Sequence, residues 1–129
     1  DITIASYSRM GPVPLDVARR LEEDEGVSAE VVDLRSLRPL DRATLLASVR
    51  KTNKAVILEE DWLSYGVGAE IAATIAEGAF DYLDAPVRRV AAAEIPLPYS
   101  KPLELAALPD ATALVKVIHE TLDATRFRG

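Results

Sequence analysis

Cysteine is absent from the 129 residues, which excludes a disulfide framework and thiolate zinc sites and fits a reducing compartment, hence a cytoplasmic protein. Histidine occurs once, at His119, and no metal-ligand spacing surrounds it. Aromatic residues make up only 5% of the chain, so a core has to be built from Ala, Val, Leu and Ile rather than from stacked rings. Basic residues are outnumbered, 15 Lys and Arg against 21 Asp and Glu for a net charge of -6. Such a balance repels a phosphate backbone, and nucleic acid is not an expected partner. No apolar run approaches the length of a membrane span, so no membrane partner is expected. An initiating methionine is also missing: the chain opens at Asp1 and enters a strand pattern at once, as a fragment or trimmed product would.

What is present is a core-forming chain. An apolar share of 49% suffices for one domain and leaves no room for two. Residues 2–7 are rich in β-formers and are broken by Ser8, Gly11 and Pro12. Val13, Val17, Ala18 and Leu21 then recur at helical spacing, with Gly26 where a terminating glycine belongs. A second strand is expected over 29–34. Asp41 is placed to cap a helix carrying Leu45, Leu46 and Val49 and ending near Thr52 and Asn53. The apolar run AVIL at 55–58 suits a central parallel strand. A third helix is expected from Val67, with Ile71, Ile75, Ala79 and Leu83 four apart. A fourth strand is expected over 86–91, an extended proline-rich crossing over 95–102, and a last helix capped by Asp110 with Leu114, Val115, Ile118 and Leu122. The domain is expected to end near residue 124, leaving 125–129 as a flexible tail. Strand and helix alternate four times, which predicts a three-layer α/β/α domain with a mainly parallel sheet of about four strands in the order 2-1-3-4.

The stretch EEDWLSYGVGAEIA at 59–72 looks at first like a dinucleotide fingerprint. The third glycine is missing, since Ile71 stands in its place, and Glu59, Glu60 and Asp61 precede the turn where a pyrophosphate would sit. Phosphate binding is therefore not expected. Gly66 is instead expected to supply a positive φ, and Gly68 to let backbone or a neighbouring chain approach the start of the helix. Trp62 and Tyr65 lie in the same loop, and two readings are open for them. They are either an anchor against another surface or a local cap over the sheet edge.

Catalytic machinery is lacking. His119 has no sequence-linked carboxylate or nucleophile, and Ser6, Ser8 and Ser64 sit in no strand-turn-helix nucleophile elbow. No catalytic, cofactor-binding or metal-binding residue is assigned. Glu77, Asp81 and Asp84 fall at i, i+4 and i+7, on one stripe of the third helix that itself offers no lysine or arginine to pair them, while Arg88 or Arg89 beyond it could fold back onto Asp84. Negative charge near a helix C-terminus is locally unfavourable. The stripe reads either as a docking site for a basic partner or as a solvated face.

Six blocks in order carry a family resemblance: SRM at 8–10, DLRSLRPLD at 33–41, SVRKTNKAVILEED at 48–61, YGVGAEIA at 65–72, FDYLDAPVRRV at 80–90 and IPLPYSKPLE at 95–104. Together they closely resemble the C-terminal, transketolase-C-like domain of the β subunit of a thiamine-diphosphate-dependent 2-oxo acid dehydrogenase E1 component. The PYSKPLE block is more like the pyruvate type, while Asp61 and the AAAE before Ile95 depart from the commonest pattern. The resemblance implies an α2β2 enzyme that decarboxylates a 2-oxo acid and passes the acyl group to a lipoyl domain of E2. It implies that thiamine diphosphate and Mg belong to the parent assembly, bound between the α subunit and the N-terminal half of β, with none bound by this chain. The implied partners are the E1 α subunit, a second β subunit and the basic peripheral subunit-binding domain of E2. On this resemblance Asp84 is the principal E2-docking residue, with Asp81 and Glu77 beside it, and Trp62, Tyr65, Gly66 and Gly68 are subunit-interface parts. Alternatives are the C-terminal domain of a transketolase or deoxyxylulose phosphate synthase, or a regulatory α/β module that binds a ligand at the strand C-termini.

Overall fold

The computed structural model describes residues 1–10, 12–96 and 98–126. Four parallel strands, β1 (Ile2–Ser6), β2 (Ala29–Asp33), β3 (Ala55–Trp62) and β4 (Arg88–Ala92), form one sheet in the order β2-β1-β3-β4. Both the order and the parallel sense agree with the sequence reading. Ile4 lies between Val31 and Val56 in register, so the apolar runs of three strands meet side by side.

Helices cover both faces. On one, α2 (Arg42–Thr52) and α3 (Val67–Ala79) pack Leu45, Val49, Ile71, Ile75 and Ala79 onto Ala5, Val32 and Ile57. On the other, α1 (Pro12–Glu25) and α5 (Ala111–Arg126) pack Val17, Leu21, Leu114 and Ile118 onto Ile2, Ile4, Val56 and Leu58. Strand side chains alternate between the two cores. Each large aliphatic side chain so buried is worth roughly 1.5–3 kcal/mol. One group of buried hydroxyls is paired across elements: Thr3 Oγ1 lies 2.8 Å from Ser48 Oγ and 2.7 Å from Thr52 Oγ1, which joins β1 to α2.

Local signals placed the helix ends. Gly26 adopts φ +67°, and its N–H and that of Val27 return to the carbonyls of Glu22 and Leu21. Asp41 accepts from the Thr44 N–H at 3.1 Å and Asp110 from the Ala113 N–H at 2.8 Å, as expected of caps. Several boundaries differ from expectation. β3 runs on through the acids to Trp62, with a register irregularity after Leu58. The third helix stops at Ala79 and tightens into a 3-10 turn at Phe80–Tyr82, so Leu83 is not on it. The crossing after β4 is not wholly extended: Pro102 is the second residue of a short helix, α4 (Lys101–Ala107), a position where the missing proline N–H costs nothing. Leu97 of that crossing lies outside the described residues. The last helix continues through Ala124, Thr125 and Arg126 instead of ending near Asp123, and residues 127–129 lie outside the described part.

Candidate functional site

The C-terminal end of the sheet is organised around Glu59, which is 0% exposed. It follows Ile57 by two positions on β3, so its side chain points to the α2/α3 face of the sheet. Its Oε2 accepts from the Gly68 N–H in the first turn of α3 at 2.6 Å and from the Tyr7 hydroxyl just beyond β1 at 3.0 Å. Its Oε1 accepts from the Arg89 guanidinium on β4 at 2.7 Å. One carboxylate thus joins three strands and a helix N-terminus. Burial, together with the charge of Glu59 and the hydrogen bond to it, holds the Tyr7 phenol well above its usual range, so Tyr7 stays a donor.

This arrangement corrects the sequence reading of the glycines. Gly66 has φ -71°, an ordinary value, and the positive φ of the turn falls on Tyr65 at +60°. A Cβ on Gly68 would overlap the Glu59 carboxylate, and one on Gly66 would overlap the Trp62 carbonyl oxygen. Both glycines are buried, and within the chain the space beside Gly68 is taken by the Glu59 carboxylate and that beside Gly66 by the Trp62 carbonyl oxygen. Sequence reasoning missed Glu59 because it took the three consecutive acids before the turn only as charges that would repel a pyrophosphate. The available signal was period two: Ile57 and Glu59 share a face, and that face is buried.

The loop beyond β3 is exposed. Trp62 is half turned to solvent, its Nε1–H donating to the Ile95 carbonyl at 3.2 Å, and the Ser64 N–H donates to Glu94 at 2.8 Å. Hydrogen bonding to Ser64, through its side chain first and its backbone N–H second, holds the Glu94 carboxyl below the usual range. Trp62 therefore partly meets the description of a local cap. Tyr65 does not, since its ring is fully exposed on a left-handed backbone. Ile95, Tyr99, Leu103 and Leu105 are exposed as well.

The three acids do not line one helix. Glu77 is on α3, Asp81 is in the 3-10 turn and Asp84 is in the bend that follows. The basic partners that α3 itself lacks come from elsewhere. Arg42 at the start of α2 reaches Glu77 at 3.6 Å, and Lys54 reaches Asp84 at 4.0 Å. Arg88 and Arg89 do not fold back onto Asp84, because they pair with Glu120 and Glu59. Beside Asp81 an open groove of about 550 Å³ is lined by Phe80, Leu83, Ala85 and Pro86. His119 has a carboxylate partner after all: its Nε2 lies 2.8 Å from Glu25 at the end of α1, a surface link between α1 and α5. Among the described residues no group of three or more His, Cys, Asp or Glu side chains could hold a metal ion, and no helix is long and apolar enough to cross a membrane.

The comparisons with known proteins agree with this architecture. The family model for the transketolase C-terminal domain matches residues 1–114. The chain is 52% identical over 116 residues to the mitochondrial pyruvate dehydrogenase E1 component subunit beta-1 of Oryza sativa, covering 90% of this chain and 31% of that protein. It is 48% identical over 123 residues to the Saccharomyces cerevisiae mitochondrial β subunit, covering 95% and 34%, and 42% identical over 117 residues to the Rickettsia conorii β subunit, covering 91% and 36%. It therefore spans about a third of the length of these curated relatives. Among solved structures, a split-gene transketolase in an inactive β4 tetramer superposes with a TM-score of 0.80 at 30% identity, covering 97% of this chain and 39% of that one. With most of its length matched by that family model and about half its residues identical to those of the rice and yeast proteins, the chain belongs to the transketolase C-terminal domain family, and its relatives there are pyruvate dehydrogenase E1 β subunits.

Proposed function

We propose that the chain is the C-terminal assembly and docking domain of the β subunit of a thiamine-diphosphate-dependent E1 component that oxidatively decarboxylates pyruvate and acylates lipoyl-E2. The observation that carries the reading is the identity of about half its residues to the rice and yeast β subunits across at least nine-tenths of its length. The parent complex on this reading is cytoplasmic, of the bacterial type. Its partners are an E1 α subunit, a second β subunit and the peripheral subunit-binding domain of E2.

The described residues at the start of α3 do not fit the cofactor. A pyrophosphate would sit at the start of α3, but there the Gly68 N–H already donates to Glu59, and the described residues offer no metal cluster. Thiamine diphosphate and Mg are accordingly assigned to the rest of the assembly, and the chain alone is assigned no turnover.

Two features support the binding roles. A bulky residue held left-handed costs roughly 1–3 kcal/mol, yet the Tyr65 ring touches nothing that rewards it within its own chain. Tyr65 and Trp62 are therefore read as anchors in the contact with a second subunit, with Gly66 and Gly68 acting indirectly by seating the loop on Glu59. Asp84 is read as the principal residue for a basic E2 partner, with Asp81 and Glu77 beside it, because the ion pairs of Asp84 and Glu77 are long and both acids are exposed. The Arg42–Glu77 side chains are 51% and 74% exposed, and Lys54–Asp84 are 15% and 58%.

Calorimetric titration with the peripheral subunit-binding domain of the cognate E2, at low and moderate salt, tests the docking role. Saturable binding weakened by salt is expected, and absence of binding at both salts removes the docking assignment while leaving the assembly role to be measured by oligomeric state.

A further inference from the structure

In the order β2-β1-β3-β4 the chain reverses direction between β1 and β3. Open α/β sheets bind ligands beyond the carboxyl ends of their strands at that reversal. Here the crevice is filled by Glu59. Around its two oxygens stand a phenol hydroxyl, a guanidinium and a backbone N–H at the start of a 13-residue helix. Each is a donor, and the helix end adds a positive partial charge. The Arg89 Nε is also buried without a hydrogen-bond partner, a further donor on the guanidinium that grips the carboxylate. Gly68 leaves room where any side chain would collide with the bound group. These are the components of a site for an external anion, although the anion present is tethered to β3.

We infer that this end of the sheet is a built oxyanion site whose resident ligand is the Glu59 side chain, and that without that side chain it takes a free small monocarboxylate. Truncation to alanine removes a methylene and the carboxylate, the heavy atoms of acetate, so acetate and the smaller formate are the fitting ligands. In the intact chain Glu59 keeps external anions out of this crevice. The inference does not depend on the proposed role in E1.

The test is thermal unfolding of Glu59→Ala, Glu59→Gln and the unaltered chain in rising sodium acetate or formate, with sodium chloride at equal ionic strength as control. Glu59→Ala is expected to melt several degrees below the unaltered chain and to recover saturably in acetate or formate, as binding to the native state requires. The unaltered chain is expected not to respond. Glu59→Gln, which fills the site without the charge, is expected to lose stability without recovering. If Glu59→Ala is isolated unfolded, return of folded protein on refolding in acetate but not in chloride is the expected result. Equal responses in the altered and unaltered chains, no response or refolding with either carboxylate, or a Glu59→Gln chain as stable as the original would overturn the inference.

Discussion

Two groups of carboxylates stand at opposite ends of α3 and behave in opposite ways. At its N-terminus Glu59 is wholly buried and saturated by short hydrogen bonds from Tyr7, Gly68 and Arg89. Beyond its C-terminus Asp81 and Asp84 face solvent, and Lys54 approaches Asp84 only to 4.0 Å. Burial makes the first carboxylate part of the fold, since an unpartnered charge there would cost several kcal/mol. Exposure makes the second group nearly neutral for stability and leaves its charge available to another molecule. Acid content alone says nothing of role; the partners of each acid do.

The largest blow to that contrast comes from its buried end. Arg89→Ala leaves Glu59 without its cation and is expected to cost about 3–5 kcal/mol, read as a fall in the urea midpoint. A loss below about 1 kcal/mol would show that the buried carboxylate does not depend on Arg89. Gly68→Ala follows, and here the sign decides. In most helix positions alanine stabilises relative to glycine by roughly 0.5–1 kcal/mol, but overlap with the carboxylate predicts a loss of about 1–3 kcal/mol. Tyr65→Gly is expected to stabilise the isolated chain by about 1 kcal/mol through relief of the left-handed backbone. The same change is expected to weaken self-association measured by sedimentation, and if both quantities stay fixed Tyr65 is neither strained nor an anchor.

At the exposed end, Asp84→Lys is expected to shift stability by no more than about 0.5 kcal/mol while abolishing binding of the E2 domain in the titration above. An unchanged affinity removes Asp84 from the docking role. The smallest effect is that of pH. Glu30, Asp41 and Glu94 are held below the usual carboxylate range, chiefly by hydrogen bonds with Lys51, Thr44 and Ser64. Because the folded chain binds these protons less readily than the unfolded one, their contribution is fully present above the unfolded carboxyl values, about pH 4. It is lost as pH falls through the lower folded values. Urea midpoints measured downward from about pH 6 are expected to decline gradually across that window, and a midpoint that rises on acidification contradicts the assignment.

Much of the architecture was legible from local chemistry. Asp41, Asp110 and Gly26 announced helix ends, and AVIL announced the central strand, because caps and buried runs depend on neighbours in sequence. α4 was hidden by the prolines of the crossing, which read as extended chain although Pro102 sits where a helix accepts it. The site was harder. Arg42 and Glu77 are distant in sequence, as are Glu59 and Arg89, and only the packing of α2 on α3 and of β3 on β4 brings them together. Tyr65 took the positive φ that the sequence reading gave to its glycine neighbour. A residue-type preference for backbone shape predicts the usual occupant of a turn, and an exception such as Tyr65 becomes visible only in three dimensions.

The 13 residues of α3 also set a fixed length. At 1.5 Å per residue the helix measures about 20 Å. It is pinned at one end by Glu59 on the Gly68 N–H and near the other by the Arg50 guanidinium, which donates to the Gly78 carbonyl at 2.6 Å. A helix fastened in this way acts as a ruler. The Tyr65 loop and the turn that carries Asp81 and Asp84 are held apart by that length, and the helix cannot shift along its axis without breaking a hydrogen bond at one of the two pins.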